Sequence, residues 1–279
     1  MSSTIYLDRE DTWPANIVTE ISRMLPVLES YEKDRSRVDK LCQNYISVRL
    51  NPPQVLHAQE RLDFLHVIDD CLKEQSLMGF HCTRLHEAEI GVVKRDGLQP
   101  LTAVLARERI LRLQESGDLP EHVAPHHLSE KTVNDDHGRH LGMTGFLFSE
   151  SLLRDEHGVW RLFRNWGGEA LYVNYERHPN YESHPNHETD IGFVLQKIGM
   201  PCIVVVAVPI AELETPISVA ERMVSKVLGH HGIATEHGTH MGAYVLQALG
   251  GSKVKRIIPY ADPEFALLTG FHGWGRPIA

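Results

Sequence analysis

The chain has 279 residues, of which 42% are hydrophobic, and this suits a globular protein with one large domain or two small ones. The chain contains 28 Lys and Arg residues and 37 Asp and Glu residues, so its formal net charge is −9. No global basic field therefore attracts nucleic acid or anionic lipid, although a local basic patch stays open.

The N-terminus and the cysteines are typical of a cytoplasmic protein. The opening sequence MSSTIYLDREDTW lacks the cationic start and apolar core of a signal peptide. The four cysteines, Cys42, Cys71, Cys82 and Cys202, form no CxxC pair, which favours reduced thiols. We therefore expect a cytoplasmic location, with no membrane partner.

Residues 14–75 show the apolar spacing of helices. The residues that recur every three or four positions are Ile17, Ile21, Met24, Leu25 and Leu28, and then Leu62, Leu65, Ile68 and Leu72. Pro26 falls inside the first stripe and predicts a kink or a split there. The paired prolines of RLNPPQ, residues 49–54, separate the two helical blocks. We therefore expect a helical N-terminal region over residues 1–75.

From residue 76 onward, short strand-like runs replace the helical spacing. The runs are LMGFHC, TGFLFS, WRLFRNW, EALYV, CIVVVAV and KVKRIIPY. The run CIVVVAVPIA, residues 202–211, is far too short to span a bilayer and predicts a buried strand. Helices are predicted at residues 102–116, from Ser218 to Gly229, where SVAE forms a capping box, and around residues 241–249. We predict an α+β domain over residues 76–279, with two small, mostly antiparallel sheets.

Histidine is frequent, with 18 residues that lie mostly in predicted loops. The two groups are His178, His184 and His187, and then His230, His231, His237 and His240. Converging imidazoles would bind zinc or another borderline metal. The sequence has no HExxH motif, however, and no cysteine joins either group. We therefore assign no metal ligands and keep a metal-dependent hydrolase as an alternative.

The stretch GFHCTRLHEAEIGVVKRDGLQPL, residues 79–101, places His81, Cys82, Thr83 and Arg84 where a strand gives way to an amphipathic helix. Thr83 is suited to cap a helix that begins near Arg84, because its hydroxyl would satisfy a free backbone N–H. A cap explains Thr83 alone and leaves His81 and Arg84 without a role, which favours a functional site.

A second stretch, RLFRNWGGEALYVNYE, joins aromatic and basic residues to a glycine pair and a carboxylate. The glycines let the backbone approach a ligand closely, and Glu169 then begins a strand-like run. From the spacing alone, Glu169 is either a catalytic carboxylate or a solvated turn residue.

FHCTRL, a helix and then DGLQPL together resemble the first motif of ADP-ribosyltransferases of the diphtheria-toxin and poly-ADP-ribose polymerase type. TGFLFSESLL, residues 144–153, is similar to the second motif of that family. Glu169 is the candidate, by order, for the catalytic glutamate of the third motif. The resemblance covers residues 77–175 and does not extend to the N-terminal helices.

The resemblance implies an NAD-dependent ADP-ribosyltransferase, a glycosyltransferase that uses NAD as its substrate, acting as an intracellular toxin or defence effector. It implies that NAD lies in a cleft between two small sheets. His81 would bind ribose hydroxyls, with Cys82 and Thr83 beside it, and Arg84 would pair with the pyrophosphate. The negative charge of Glu169 would stabilise the oxocarbenium-like centre that forms as nicotinamide leaves.

Two positions depart from the family pattern. Cys82 replaces a glycine whose backbone holds the nicotinamide amide, and Leu147 replaces a tyrosine. Phe148 or Trp166 would then stack on the nicotinamide ring. The main alternative is an inactive module that binds NAD or another nucleotide. The acceptor, whether a protein, a nucleic acid or a small molecule, stays open, as does a regulatory partner protein.

Overall fold

The computed structural model describes residues 4–119, 121, 142–154, 159–167, 191–215, 218–235 and 240–272. The chain divides into two compact units. The first comprises Met1–Met78 and Pro209–Met241, and the second comprises Gly79–Val208 and Gly242–Ala279.

The described α-helices are α1 (Ala15–Asn44), α2 (Ile46–Leu50), α3 (Ala58–Leu72), α4 (Glu87–Asp96), α5 (Ala103–Glu115), α6 (Trp160–Arg164), α7 (Ile191–Lys197), α8 (Val219–His230) and α9 (Pro263–Thr269). The described strands are β1 (Thr4–Ile5), β2 (Ser76–Leu85), β3 (Thr144–Leu147), β4 (Met200–Pro209), β5 (Gly242–Val245) and β6 (Val254–Pro259).

These described strands form one mostly antiparallel sheet in the order β5–β3–β2–β4–β6. Strand β3 is antiparallel to β2 and to β5, and β4 is antiparallel to β6. Strand β1 pairs in parallel with the first residues of β2. The α+β class, the mostly antiparallel strands and the helical N-terminus are confirmed. The described strands share one sheet, whereas we expected two, because the ten-residue β2 is long enough to pair with β1, β3 and β4.

The first unit is built from α1, α3 and α8, which pack against one another. Arg61 of α3 forms an ion pair with Glu221 of α8, and the Asp69 carboxylate accepts a hydrogen bond of 3.1 Å from the Ala220 N–H. Residues 209–241, which we expected in the C-terminal domain, therefore belong with the N-terminal helices. Burial raises the pKa of Asp69 above its ordinary value, despite the hydrogen bonds that it accepts.

The core of the second unit is centred on β4. Residues 201–208 of β4 are buried, so the strand predicted from the apolar run is confirmed. A second hydrophobic cluster joins α5, α7 and Trp166, and it consists of Ile110, Leu113, Leu119, Trp166, Val194, Leu195 and Ile198.

Several local predictions are confirmed. Helices α5 and α8 begin after Thr102 and Ser218, whose side chains accept hydrogen bonds from backbone N–H groups of the first turn. The paired prolines separate α2 from α3. Helix α1 continues through Pro26, so the split that we considered there is wrong.

In two places the structure has a strand where we predicted a helix, or a helix where we predicted a strand. Residues 242–245 form strand β5 and not a helix, because they alternate between exposed and buried positions and pair with β3. Residues 160–164 of WRLFRNW form helix α6, which buries Phe163. The run EALYV lies outside the described residues. Among those that are described, no helix combines the length and the apolar character needed to cross a membrane.

Candidate functional site

A cavity of about 530 Å³ lies in the second unit. Its volume falls in the range that is usual for small-molecule sites, which is on the order of 300–1,000 Å³. Strands β2, β3 and β5 and helices α4, α5 and α6 contribute to its wall. The polar and charged residues on the described part of the wall are His81, Cys82, Thr83, Glu89, Gln99, Arg109, Arg112, Thr144, Arg161 and Tyr244.

His81 is half-buried on β2, and its imidazole is bound to the neighbouring strand. Its Nδ1 atom lies 2.9 Å from the carbonyl oxygen of Gly145 on β3. A carbonyl oxygen only accepts hydrogen bonds, so Nδ1 carries the proton and Nε2 of the neutral ring is an acceptor. Burial lowers the pKa of His81, and the nearby Arg109 charge lowers it as well, against the opposing effect of the Gly145 carbonyl. The ring is therefore neutral at pH 7.

Cys82 and Thr83 also line the cavity, but neither has the role of a helix cap. Burial raises the pKa of the Cys82 thiol well above its ordinary value, so the thiol stays protonated. Our prediction that Thr83 caps a helix is wrong, because β2 continues to Leu85 and the helix begins at Glu87. The residue that caps α4 is His86.

Arg84 lies outside the cavity, and its predicted contact with a pyrophosphate needs correction. The side chain is buried, and Nε donates to the carbonyl of Ile198 at 2.6 Å. The two Nη atoms donate to the carbonyls of Phe163 and Gly199 at 3.2 and 2.9 Å. Arg84 thus connects β2 to the backbone of α6 and to the residues just before β4, and it has a structural role.

The two aromatic rings expected to stack on nicotinamide are both buried in the core. Phe148 and Trp166 are 2% and 1% exposed, and neither belongs to the cavity wall. Two phenylalanines and one tyrosine line the described part of the cavity, namely Phe80, Phe146 and Tyr244. The two phenylalanines are buried, whereas Tyr244 of β5, which lies opposite Gly145 of β3, is 45% exposed. The stacking predicted for Phe148 and Trp166 is therefore corrected, and Tyr244 is the most exposed aromatic ring on the described cavity wall.

Glu169 lies outside the described residues, so its position relative to His81 stays a prediction. In the sequence it follows Trp166 by three residues, and Gly167 between them lines the cavity.

The glycine of the DGL turn has a clear structural cause. Gly97 ends α4 with a φ of 90°, a conformation that residues with a side chain rarely adopt. A Cβ atom at this position would lie 1.8 Å from the carbonyl oxygen of Leu249. The backbone of Leu98 pairs with that of Leu249, so only glycine allows this close approach at residue 97.

A carboxylate on the cavity wall, Glu89, was not identified from the sequence. One of its oxygens accepts from Arg109 Nε at 2.6 Å, and the other accepts from the His86 N–H and from Trp166 Nε1, each at 2.8 Å. Burial raises the pKa of Glu89, but the Arg109 charge and these hydrogen bonds lower it more, so its pKa lies below the ordinary value. The only sequence signal was the spacing of His86 and Glu89, which fits a capping box.

The described histidines give no support to a metal centre. His230 Nδ1 lies 3.0 Å from a Glu10 oxygen, and His231 Nδ1 lies 3.9 Å from a Glu29 oxygen. Among the residues that the structure describes, no three His, Cys, Asp or Glu side chains are grouped so that they could hold a metal ion. Four of the clustered histidines, His178, His184, His187 and His237, lie outside those residues, whereas His240 lies within them.

Comparisons with protein-family models, with curated proteins and with solved structures find no match to this chain. The likeness to ADP-ribosyltransferases therefore depends on the motif residues and on the cavity that some of them line.

Proposed function

We propose that the protein is an NAD-dependent ADP-ribosyltransferase that uses this cavity as its NAD site. The observation that carries the proposal is the shared cavity of two sequence motifs. His81 of the first motif and Leu147 of the second lie on the adjacent antiparallel strands β2 and β3, and both line the cavity. These two residues are 66 positions apart in the sequence, yet both line one cavity whose volume suits a small-molecule ligand.

In this proposal, His81 recognises a ribose. Its neutral imidazole offers Nε2 as an acceptor, and a ribose hydroxyl is a matching donor. The Gly145 carbonyl fixes the ring orientation and the tautomer before the ligand binds, so little ordering is required on binding. Tyr244 offers an aromatic face for the nicotinamide ring, in place of the tyrosine that Leu147 replaces.

The reaction would break the bond between C1′ of the ribose and the nicotinamide nitrogen. The bonding electron pair leaves with nicotinamide, which becomes neutral, and positive charge develops on the ribose. The Glu169 carboxylate would stabilise that charge. The acceptor then forms a bond to C1′ and loses a proton, and ADP-ribosylated acceptor and nicotinamide are the products.

The second candidate is an inactive module that binds NAD or a related nucleotide. Leu147 favours it, because a leucine on the cavity wall lacks the ring and hydroxyl of the tyrosine in the family motif. Incubating the purified protein with NAD and measuring free nicotinamide separates the two candidates. Release of nicotinamide supports the transferase, and NAD binding without release supports the inactive module.

A third candidate, a metal-dependent hydrolase, would use the loop histidines. Metal analysis of protein purified without added metal tests it, since a hydrolase of this kind requires a stoichiometric ion.

A further inference from the structure

We propose that Arg109 forms an anion subsite in the cavity and binds the diphosphate group of a nucleotide ligand. The inference rests on the proposed function, since it takes the ligand to be a dinucleotide. It assigns the diphosphate to a residue of α5, in place of Arg84, whose guanidinium is occupied by backbone carbonyls.

The guanidinium of Arg109 is held in a fixed plane. Its Nε donates to Glu89 at 2.6 Å, and its Cζ lies 4.7 Å from the centroid of the Trp166 ring. Glu89 is itself held by the Trp166 indole and by the His86 N–H. The Nη atoms of an arginine carry four N–H donors in a rigid fork that matches paired phosphate oxygens. A side chain oriented in this way loses little entropy when an anion binds.

Three arginine side chains lie on the described cavity wall. They are Arg109, Arg112 and Arg161. Arg109 is paired with Glu89 through Nε, and Arg112 is paired with Glu108 at 3.3 Å. Arg112 lies one turn after Arg109 on α5, so the two side chains share a face of the helix. Glu89 holds Arg109 through Nε, so the Nη donors of Arg109 are the ones that an anionic ligand in the cavity would contact.

Arg109 is also close to the residue that recognises the ribose. His81 and Arg109 both line the cavity, and the Arg109 charge contributes to the lowered pKa of His81. The cavity therefore offers a hydroxyl acceptor and an anion binder together. A ribose joined to a phosphate carries both of the matching groups.

Calorimetric titration with ADP and with adenosine tests the subsite, because the two probes differ only in the diphosphate. The variant is Arg109→Gln, and the control is Arg107→Gln, which makes the same charge change at an exposed position of the same helix. We expect Arg109→Gln to weaken ADP binding by about tenfold to a hundredfold, as for loss of a charge-assisted pair. Adenosine binding should be unchanged, and Arg107→Gln should change neither affinity by more than about twofold.

Three results would overturn the subsite. Wild-type protein could bind ADP no more tightly than adenosine, Arg109→Gln could leave ADP binding unchanged, or Arg107→Gln could weaken it as much as Arg109→Gln does. If Arg109→Gln does not fold, Arg109→Lys replaces it, because lysine keeps the charge but lacks the planar fork. A loss of ADP affinity in Arg109→Lys supports the subsite, and full affinity contradicts it.

Nicotinamide release from NAD, measured on the same preparations, separates this inference from the proposed function. ADP binding that depends on Arg109, without nicotinamide release, would support the subsite and contradict the transferase. Nicotinamide release with the same KM for NAD in wild-type protein and Arg109→Gln would support the transferase and contradict the subsite.

Discussion

The imidazole of His81 is bound through Nδ1 to the carbonyl oxygen of Gly145, 2.9 Å away across the β2–β3 pair. This contact decides which ring nitrogen carries the proton, and it leaves Nε2 as the acceptor of a neutral histidine on the cavity wall. His81 thus belongs to the first motif, lines the cavity and has its ring held by a hydrogen bond. It is therefore the first residue to substitute.

Replacing His81 with alanine should weaken NAD binding and slow turnover. The proposed contact with the ribose exists before the reaction and during it, so the KM for NAD should rise about tenfold and kcat should fall. Steady-state kinetics of nicotinamide release would measure both. His66→Ala, at an exposed position of α3, is the control and should match wild-type protein. Unchanged KM and kcat in His81→Ala would contradict the role of His81.

Arg84 should behave in the opposite way, as a residue of stability and not of binding. Arg84→Met removes hydrogen bonds to two buried carbonyls and one partly buried carbonyl and leaves those acceptors without this donor. We expect the free energy of unfolding in urea to fall by about 2–4 kcal/mol. Arg95→Met, at an exposed arginine of α4, should leave it almost unchanged. An Arg84→Met protein that is as stable as wild-type protein would refute this assignment.

Glu89 should stabilise the fold only while it is ionised. Its pKa in the folded protein lies below the ordinary value of 4.5, so the stabilisation is full above pH 4.5 and is lost as the pH falls through the lowered pKa. Glu89→Gln should therefore reduce the free energy of unfolding by about 1–3 kcal/mol at pH 7, and by progressively less below pH 4.5. Denaturant titrations across this range would measure the difference.

Glu87→Gln provides the matched control for that experiment. Glu87 is exposed in the first turn of the same helix, so its replacement should cost less than about 1 kcal/mol. If Glu89→Gln lowers the free energy of unfolding by the same amount at pH 7 and well below pH 4.5, stabilisation by the ionised Glu89 carboxylate is contradicted.

Most of the described secondary structure follows from local patterns in the sequence. Apolar spacing and caps predict α3, α5 and α8, and the apolar run of β4 predicts a buried strand. The segment of β5 was misjudged because a short apolar run fits a helix or a strand equally well, and only its pairing with β3 decides between them.

The candidate site was less predictable because long-range contacts determine its members. His81 was recognised through a local motif. The roles of Arg84 and Trp166 were misjudged, since their partners Ile198 and Glu89 lie 114 and 77 residues away in the sequence. The sequence did not identify Arg109 as a site residue, because its contact with Glu89 joins α5 to α4 and no local spacing indicates that contact.

The most direct test of the transferase is nicotinamide release from NAD by wild-type protein and by Glu169→Gln. Glutamine keeps the size of the side chain and removes its charge, so the transition state should suffer more than NAD binding does. We expect wild-type protein to release nicotinamide, and Glu169→Gln to bind NAD but release nicotinamide at least about 100-fold more slowly. Wild-type protein that releases no nicotinamide, or a Glu169→Gln variant that releases it at the wild-type rate, would contradict the proposal.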